Sequence, residues 1–253
     1  MESYIKRVIV RNSGADFEEA EDNIAVEKRL RILINGKEML SMYCTPLMIR
    51  ELVVGMLMSE NIITGKWCGD KMSIVFGDEV TVDVPAEGEV STEGAVITSG
   101  CIGGITFPKR AALQKTDDPF TISAVRLKEI FRDFQKLSSL HQLTGCIHSA
   151  GLSDGESMLC IAEDIGRHNA VDKVIGFAIL EEIPFAGKIM LASGRLSSEI
   201  VAKCGRWGIP LVGSRTSPTS LALEIAEKCG VTVAGFIRGD RFNVYTNPQR
   251  ILR

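Results

Sequence analysis

Apolar and polar residues follow two different patterns along the chain. The first part alternates over short runs, which is typical of half-buried strands. Two of these runs flank Asn35-Gly36, a pair that favours a type I′ hairpin. Thr45-Pro46 resembles an N-cap followed by a first-turn proline, and it predicts a helix to about Glu60. Strands are predicted at residues 4–11, 29–34, 37–42, 72–76, 79–84 and 94–98.

The second part alternates strands with helices. A long helix is predicted over residues 122–140, and three β-α-β units follow it. The predicted strands cover residues 157–162, 188–192, 209–212 and 231–236, and the predicted helices cover 169–181, 197–207 and 218–229. Such units predict parallel strands with helices on both faces. Ligands bind such sheets at the carboxyl ends of the strands.

A polar stretch separates the first pattern from the second. It covers residues 113–119 and ends in Asp117-Asp118-Pro119. We interpret it as a linker. The predicted fold class is therefore α/β (α+β overall). Residues 1–118 would form a smaller β-rich domain with one helix, and residues 119–253 an α/β domain.

Composition narrows the class of protein. Apolar residues make up 45% of the 253 and charged residues 24%, as in ordinary globular proteins. The net charge of −3 argues against a general nucleic-acid binder. No apolar run reaches the ~20 residues that span a bilayer, and the N-terminus does not resemble a signal peptide. Seven scattered cysteines fit a reducing compartment, so we expect a cytoplasmic protein.

The positive charge is concentrated near the C-terminus. Residues 195–253 hold nine Lys and Arg against four Asp and Glu, a balance of +5. The rest of the chain therefore carries −8. A solvated surface explains this imbalance as well as a site for an anionic ligand does.

Three predicted strand-to-helix junctions are polar, and each contains an arginine. They lie at residues 163–173, 193–199 and 214–220. Free backbone N–H groups and arginines at one sheet edge would suit phosphate or carboxylate. Helix capping by Ser197 and Ser217 is the alternative explanation, although it leaves the arginines unexplained. For His168, in the first junction, we favour a structural hydrogen-bonding role over a catalytic one.

One cysteine stands in a glycine-rich loop after a strand, Ser99-Gly100-Cys101-Ile102-Gly103-Gly104. Small neighbours leave a thiol accessible, and accessible thiolates are the reactive ones. Cys160, Cys204 and Cys229 fall in predicted strands or helices, where core packing is the default. No Cys-x-x-Cys occurs, so we expect no structural metal.

Four motifs in this order resemble one known family, the formate dehydrogenase accessory sulfurtransferases (FdhD). They are the Cys101 loop, Glu163-Asp164-Ile165-Gly166-Arg167-His168-Asn169-Ala170, Ser193-Gly194-Arg195 and Phe236-Ile237-Arg238-Gly239-Asp240-Arg241. The resemblance implies a cytidine-deaminase-like, three-layer C-terminal domain. It also implies transfer of sulfur from a cysteine desulfurase to the molybdenum (or tungsten) of the bis(molybdopterin guanine dinucleotide) cofactor of formate dehydrogenase. A homodimer is a further implication.

Site residues carry over from the resemblance by position. Cys101 matches the persulfide-forming cysteine. The segment Phe236, Ile237, Arg238, Gly239, Asp240 and Arg241 matches the family's cofactor-binding segment. The polar loops expected beside it at the carboxyl edge of the sheet add Ser193, Gly194, Arg195, Ser214 and Arg215 to the predicted cofactor-binding residues. Some members of the family have a second cysteine three positions after the first, where this chain has Gly104. Cys146 can replace that thiol only if folding brings it close to Cys101.

Two other functions stay open at this point. A cofactor-binding chaperone would insert the cofactor without a covalent sulfur step. A nucleoside-processing enzyme on a deaminase-like fold is a weaker alternative, because the deaminase zinc motif is absent.

Overall fold

A computed structural model describes residues 2–63, 71–87 and 115–253, together with the backbone of two short strands, Val96–Ile97 and Ile105–Thr106. The predicted sulfur-carrying loop, with Cys101 and Gly104, lies outside the described residues. The predicted linker, residues 113–119, is described from Lys115 onwards.

The described residues form strands with one helix in the first half of the chain and both strands and helices in the second half. The strands are β1 Tyr4–Asn12, β2 Phe17–Ala25, β3 Lys28–Ile34, β4 Lys37–Cys44, β5 Ser73–Phe76, β6 Val80–Val84, β7 Val96–Ile97, β8 Ile105–Thr106, β9 Ile122–Ser123, β10 His148–Ser153, β11 Met158–Asp164, β12 Ile189–Ala192, β13 Leu211–Ser214, β14 Thr232–Arg238, β15 Arg241–Thr246 and β16 Ile251–Leu252. The helices are α1 Ile49–Ser59, α2 Ala124–Leu137, α3 Ser139–Thr144, α4 Arg167–Leu180, α5 Ser198–Arg206, α6 Ser220–Cys229 and the 3₁₀ turn Pro248–Arg250.

A six-stranded sheet in the order β11-β10-β12-β13-β14-β15 organises the second half of the chain. Strands β12, β13 and β14 are parallel neighbours. Strand β10 pairs antiparallel with both β11 and β12. The three predicted β-α-β units therefore run in one direction, but the unpredicted strand β10 lies inside the first of them.

Helices cover both faces of this sheet. Along β12, Met190 packs into a core with α4, α5 and α6, whereas Ile189 and Leu191 pack against α2 on the opposite face. This alternation follows from the two-residue period of a strand buried on both sides. The predicted α/β class is confirmed, and the likeness to cytidine deaminases stays a prediction.

The first half of the chain has a separate four-stranded sheet in the order β4-β3-β6-β5, packed against α1. Asn35 (φ 52°) and Gly36 (φ 76°) form its hairpin turn, and both have the positive φ of a type I′ turn. This confirms the predicted hairpin. No helix among the described residues is long and apolar enough to span a membrane.

The first helix begins at Ile49, so the predicted start at Thr45-Pro46 is wrong. Thr45 is fully buried and serves another purpose. Its backbone N–H donates to the Asp164 carboxylate (3.1 Å), and its hydroxyl accepts from Ile165 N–H (3.2 Å). Lys173 donates to the Thr45 carbonyl oxygen (3.1 Å) and pairs with Asp164 (2.6 Å). The residue that looked like a cap therefore attaches the first half of the chain to the second.

Helices α1 and α4 approach each other through two glycines. A Cβ atom at Gly55 would lie 1.8 Å from the Asp172 carbonyl oxygen, and one at Gly176 would lie 1.8 Å from that of Glu51. Only glycine permits this backbone separation. The two halves of the chain are therefore in close contact along α1 and α4.

Candidate functional site

Two of the predicted polar loops meet at the carboxyl edge of the sheet. Ser193 follows β12, and its hydroxyl accepts from the Ser149 N–H (2.9 Å). Ser214 ends β13, and its hydroxyl donates to the Gly194 carbonyl oxygen (2.7 Å) and accepts from the Thr216 N–H (3.0 Å). These bonds join the two loops to each other and to β10.

The 236–241 segment lies beside these loops, where the sequence places it. Phe236 N–H donates to the Thr216 carbonyl oxygen (3.0 Å), and Arg238 Nε donates to the Arg215 carbonyl oxygen (3.1 Å). The Arg238 guanidinium lies 5.7 Å from the centroid of the Phe236 ring. Gly239 (φ 56°) then turns the chain into β15. The segment is thus a tight turn and also part of the sheet edge.

The predicted binding residues differ in whether their side chains are exposed to solvent. The side chains of Arg195, Arg215, Phe236, Arg238, Asp240 and Arg241 are exposed. Ile237 is only 1% exposed and packs in the core on the α2 side of the sheet. Its side chain is therefore not available to a ligand, although its backbone belongs to the turn. Whether the others bind the cofactor stays a prediction.

A cavity of about 630 Å³ opens at this edge. Its walls come from α2, α3, the start of β10 and the loops after β12 and β13. It is lined by Phe131, Phe134, Gln135, Ser138, His141, Gln142, Gly145, Cys146, Ile147, His148, Ser149, Ser193 and Arg215. Two imidazoles, one thiol, one guanidinium and several hydroxyl groups therefore surround a space with an apolar floor. Such a mixture is typical of ligand sites.

His148 is a half-buried base in the wall of this cavity. Burial, and then the positive charge of Arg167, lower the pKa of His148 below its ordinary value. Its Nδ1 lies 3.4 Å from the Ser193 hydroxyl. A neutral imidazole can donate and accept hydrogen bonds, so His148 suits the recognition of a polar ligand.

Glu163 holds the wall of the cavity in place. Its carboxylate accepts from the backbone N–H groups of Leu140 (3.0 Å) and His141 (2.8 Å) at the start of α3. It also accepts from the Ser149 hydroxyl (3.3 Å). A carboxylate is favourable at the amino end of a helix, and this one fixes α3 to the sheet.

His168 lies outside the cavity. Its Nε2 is 2.7 Å from the Glu199 carboxylate and 3.0 Å from the Ser197 hydroxyl, so it links α4 to α5. These contacts agree with the structural role that we favoured. Ser197 occupies the N-cap position of α5 without a capping bond. Thr219, not Ser217, caps α6.

Four of the five described cysteines are buried, and Cys146 is exposed. Burial raises the pKa of Cys44, Cys160 and Cys204 to about 12, and it raises that of Cys229 as well. Thiols that stay protonated are poor nucleophiles. No group of three or more His, Cys, Asp or Glu within the described ranges is placed to hold a metal ion, and the predicted lack of a structural metal stays a prediction.

Sequence reasoning missed His141 and His148 as site residues. Both lie outside the three β-α-β junctions from which the site was predicted. His148 begins the strand that was not predicted, and His141 lies on α3, a helix that was not predicted and that begins where the helix predicted over residues 122–140 was expected to end. The signal available in the sequence was Cys146-Ile147-His148, which places a thiol and an imidazole two positions apart.

Comparison with known proteins identifies relatives of this chain. The sequence model of the FdhD/NarQ family matches residues 25–252. The sulfur carrier protein FdhD of Bacillus pumilus is 36% identical over 255 residues, covering 97% of each chain. That of Staphylococcus aureus strain JH9 is 33% identical, covering 96% of this chain and 95% of its own.

A solved structure extends the likeness to three dimensions. The crystal structure of a protein from Desulfotalea psychrophila, assigned as a formate dehydrogenase accessory protein, superposes with a TM-score of 0.78. It is 28% identical, and the match covers 99% of this chain and 100% of that one. With a family match over most of its length and relatives at 33–36% identity, the chain belongs to the FdhD/NarQ family.

Proposed function

We propose that this protein is a sulfur carrier that serves formate dehydrogenase. It accepts sulfur from a cysteine desulfurase as a persulfide on Cys101. It then delivers that sulfur to the molybdenum of the bis(molybdopterin guanine dinucleotide) cofactor, which is its substrate. The relatives named sulfur carrier proteins and the accessory-protein structure support this function. The observation that carries the proposal is the cavity at the sheet edge, beside Arg215 and Arg238.

Burial excludes most of the described cysteines as the thiol that carries the sulfur. The four buried thiols are unsuited to attack a donor persulfide, because burial disfavours their thiolate forms. Of the described cysteines, only Cys146 is exposed. Cys68 and Cys101 lie outside the described residues, and Cys101 is the one that matches the family's persulfide-forming position.

The loading step balances without a redox partner. The Cys101 thiolate attacks the outer sulfur of the persulfide on the desulfurase, the S–S bond there breaks, and the desulfurase thiolate leaves. Cys101 then carries the persulfide. Release of its outer sulfur as sulfide consumes two electrons, so delivery requires a reductant such as an external thiol.

The sheet edge offers what a dinucleotide needs. Exposed guanidinium groups at Arg215 and Arg238 can bind pyrophosphate. The Phe236 ring offers a face for stacking, and the exposed Asp240 carboxylate can accept hydrogen bonds from the N1–H and amino group of guanine. The residues present therefore fit a guanine nucleotide.

Intact-mass measurement tests the sulfur step. After incubation with a cysteine desulfurase and cysteine, the protein should gain one sulfur, and peptide mapping should place it on Cys101. Cys146→Ser is the matched control and should still gain it. A Cys101→Ser variant should fold normally and fail to activate formate dehydrogenase in a strain that lacks the protein. If Cys101→Ser restores full activity, the protein acts as a non-covalent chaperone.

Calorimetry with guanosine diphosphate tests the binding site separately. Arg238→Ala should weaken binding by about 1.5–3 kcal/mol, the range for a hydrogen bond to a charged group. Arg31→Ala is the control. Arg31 lies on β3, in the separate four-stranded sheet of the first half of the chain, so this variant should bind guanosine diphosphate normally. Added salt should weaken binding by the native protein more than by Arg238→Ala. Unchanged affinity in Arg215→Ala, Arg238→Ala and Arg241→Ala would place the site elsewhere.

A further inference from the structure

Two half-buried histidines line the cavity at the sheet edge, and in each of them one ring nitrogen has a fixed partner. His141 Nδ1 lies 2.5 Å from the Ile147 carbonyl oxygen. A carbonyl oxygen only accepts hydrogen bonds, so this nitrogen carries a proton, and in the neutral ring Nε2 is then an acceptor. The His141 Nε2 has no hydrogen-bond partner among the residues that the structure describes. Its lone pair is therefore available to a ligand in the cavity.

His148 has the opposite arrangement. Its Nδ1 lies 3.4 Å from the Ser193 hydroxyl, which already accepts from the Ser149 N–H (2.9 Å). In the described part of the chain, Nδ1 is the acceptor within reach of the Ser193 hydroxyl proton, so Nδ1 accepts that proton. The proton of the neutral His148 ring is then on Nε2, which has no hydrogen-bond partner in the same part of the chain. His148 therefore presents an N–H donor to the cavity.

The loop after β12 closely surrounds the His148 ring. A Cβ atom at Gly194 would lie 3.2 Å from His148 Nδ1 and 3.3 Å from Cβ and Cδ of Arg167. Glycine at this position therefore lets the ring remain beside Ser193. Burial and then the positive charge of Arg167 lower the pKa of His148, so the ring is neutral at about pH 7. Ser193 and Gly194 were predicted to bind the cofactor, but their contacts indicate that they act through His148.

A donor and an acceptor in one cavity match a cyclic lactam. The carbonyl oxygen of a lactam accepts a hydrogen bond, and its adjacent N–H donates one. Phe131 and Phe134 form the apolar floor, on which a flat ring can lie. An amino group in place of the carbonyl reverses both positions, and donor would then face donor. The cavity of about 630 Å³ is within the usual range for small-molecule sites.

We propose that His141 and His148 together recognise the lactam of a fused heterocycle, and that Ser193 and Gly194 position His148 for this task. The inference rests on the proposed function and deepens it, because the proposed cofactor contains such a lactam in its guanine and another in its pterin. His141 and His148 thus act as specificity-determining residues, and Ser193 acts as a positioning residue.

The nitrogen chemical shifts of the histidine rings test the two proton positions directly. At about pH 8, where an ordinary histidine is neutral, NMR should show the His148 proton on Nε2 and the His141 proton on Nδ1. Ser193→Ala should raise the share of His148 that carries its proton on Nδ1. Ser193→Thr keeps the hydroxyl and should restore the native signal. A native His148 ring with its proton mainly on Nδ1 would overturn the proposal.

Pairs of ligands that differ at the lactam test the recognition. Guanosine and inosine diphosphates have the lactam, and adenosine diphosphate reverses it. Hydroxymethylpterin has the lactam, and its diamino analogue reverses it. In calorimetry, the native protein should bind the lactam member of at least one pair at least about tenfold more tightly.

His148→Ala should lower the affinity for that ligand by about two- to twelvefold, the range for one neutral hydrogen bond, and should leave the amino analogue nearly unaffected. Leu143→Ala is the control, since Leu143 is an exposed residue of α3 that does not line the cavity. This variant should bind both members of each pair as the native protein does.

The outcomes separate this inference from the proposed function. The pair whose selectivity falls in His148→Ala identifies the ring that enters the cavity, guanine or pterin, and either result supports the lactam site. If the native protein binds these ligands and His148→Ala keeps full selectivity for both pairs, the lactam site is wrong and the proposed function stands. If the native protein binds neither guanosine diphosphate nor hydroxymethylpterin, both proposals fail.

Discussion

Lys203 offers the sharpest test of what holds the two halves of the chain together. Its ammonium group lies 2.6 Å from the Asp172 carboxylate of α4 and 3.2 Å from Glu60, directly after α1. The three side chains are only 4–8% exposed. Both carboxylates raise the pKa of Lys203, which keeps it charged. We predict that Lys203→Met, which keeps the volume and removes the charge, strongly destabilises the fold.

The expected loss in the free energy of unfolding follows from the burial of these charged side chains. Removing one partner of a buried ion pair costs about 3–5 kcal/mol, because an uncompensated charge stays inside the protein. Here two carboxylates lose their cation, so the upper part of that range is expected. Total stabilities are about 5–15 kcal/mol, and the variant should therefore lose a large share of its own. Asp172→Asn should cost less, because the amide oxygen can still accept from Lys203.

The loss should depend on pH in a defined direction. Burial raises the pKa of Asp172, and Lys203 opposes that shift. Without Lys203, the folded variant therefore binds a proton more readily than the unfolded chain does. Its stability should rise as the pH falls through the raised pKa, and the deficit relative to the native protein should shrink.

Urea unfolding of both proteins at about pH 7 and about pH 5 measures these effects. Lys136→Met is the matched control, since its side chain is 70% exposed and lies 3.9 Å from Asp133. That exposed pair should contribute at most about 1 kcal/mol. A loss below about 1 kcal/mol in Lys203→Met, or the same loss at both pH values, would refute the role assigned to the buried charge.

Three further predictions concern packing, thiols and the cavity. Gly176→Ala should destabilise the fold by several kcal/mol in urea unfolding because of its contact with Glu51, whereas Gly77→Ala, whose nearest neighbour would lie at 3.6 Å, should be nearly neutral. Alkylation of the native protein followed by peptide mapping should modify Cys146 and spare the four buried cysteines; rapid labelling of those would contradict their burial. The NMR titration of His148 should have its midpoint below about 6.5, and a higher value would contradict its burial beside a positive charge.

Much of the fold could be predicted because the spacing of apolar residues along the chain follows the burial of their side chains. Strands β12, β13 and β14 are continuous apolar runs that alternate with helices, and a parallel sheet covered on both faces produces that pattern. Strand β10 has the sequence His-Ser-Ala-Gly-Leu-Ser and contains no β-branched or aromatic residue, so its propensity for strand structure is weak. Strand β2 has four acidic residues, two alanines and one asparagine among its nine residues, so its propensity for strand structure is weak as well. Both segments are strands because they pair with neighbouring strands in the folded protein, and not because of their own residue types.

Local signals also failed where a residue's partner is distant in sequence. Thr45 has the chemistry of an N-cap, but its partners are Asp164 and Ile165, about 120 positions away. No local rule detects such a bond. The true N-cap of α1, Met48, has a left-handed backbone and no capping side chain, so it gives no signal in the sequence.

The same antiparallel strand explains why half of the candidate site was missed. In a purely parallel sheet, only residues that follow strands reach the carboxyl edge, and the rule that finds them selects Ser193 and Ser214. Strand β10 runs antiparallel to β12, so Ala150 pairs with Ala192 and the start of β10 lies at that same edge. Residues that precede a strand are thereby placed with residues that follow one. Cys146 and His148 reach the cavity in this way, and the one exposed thiol among the described cysteines lies beside the hydroxyl and guanidinium groups that the β-α-β rule had already selected.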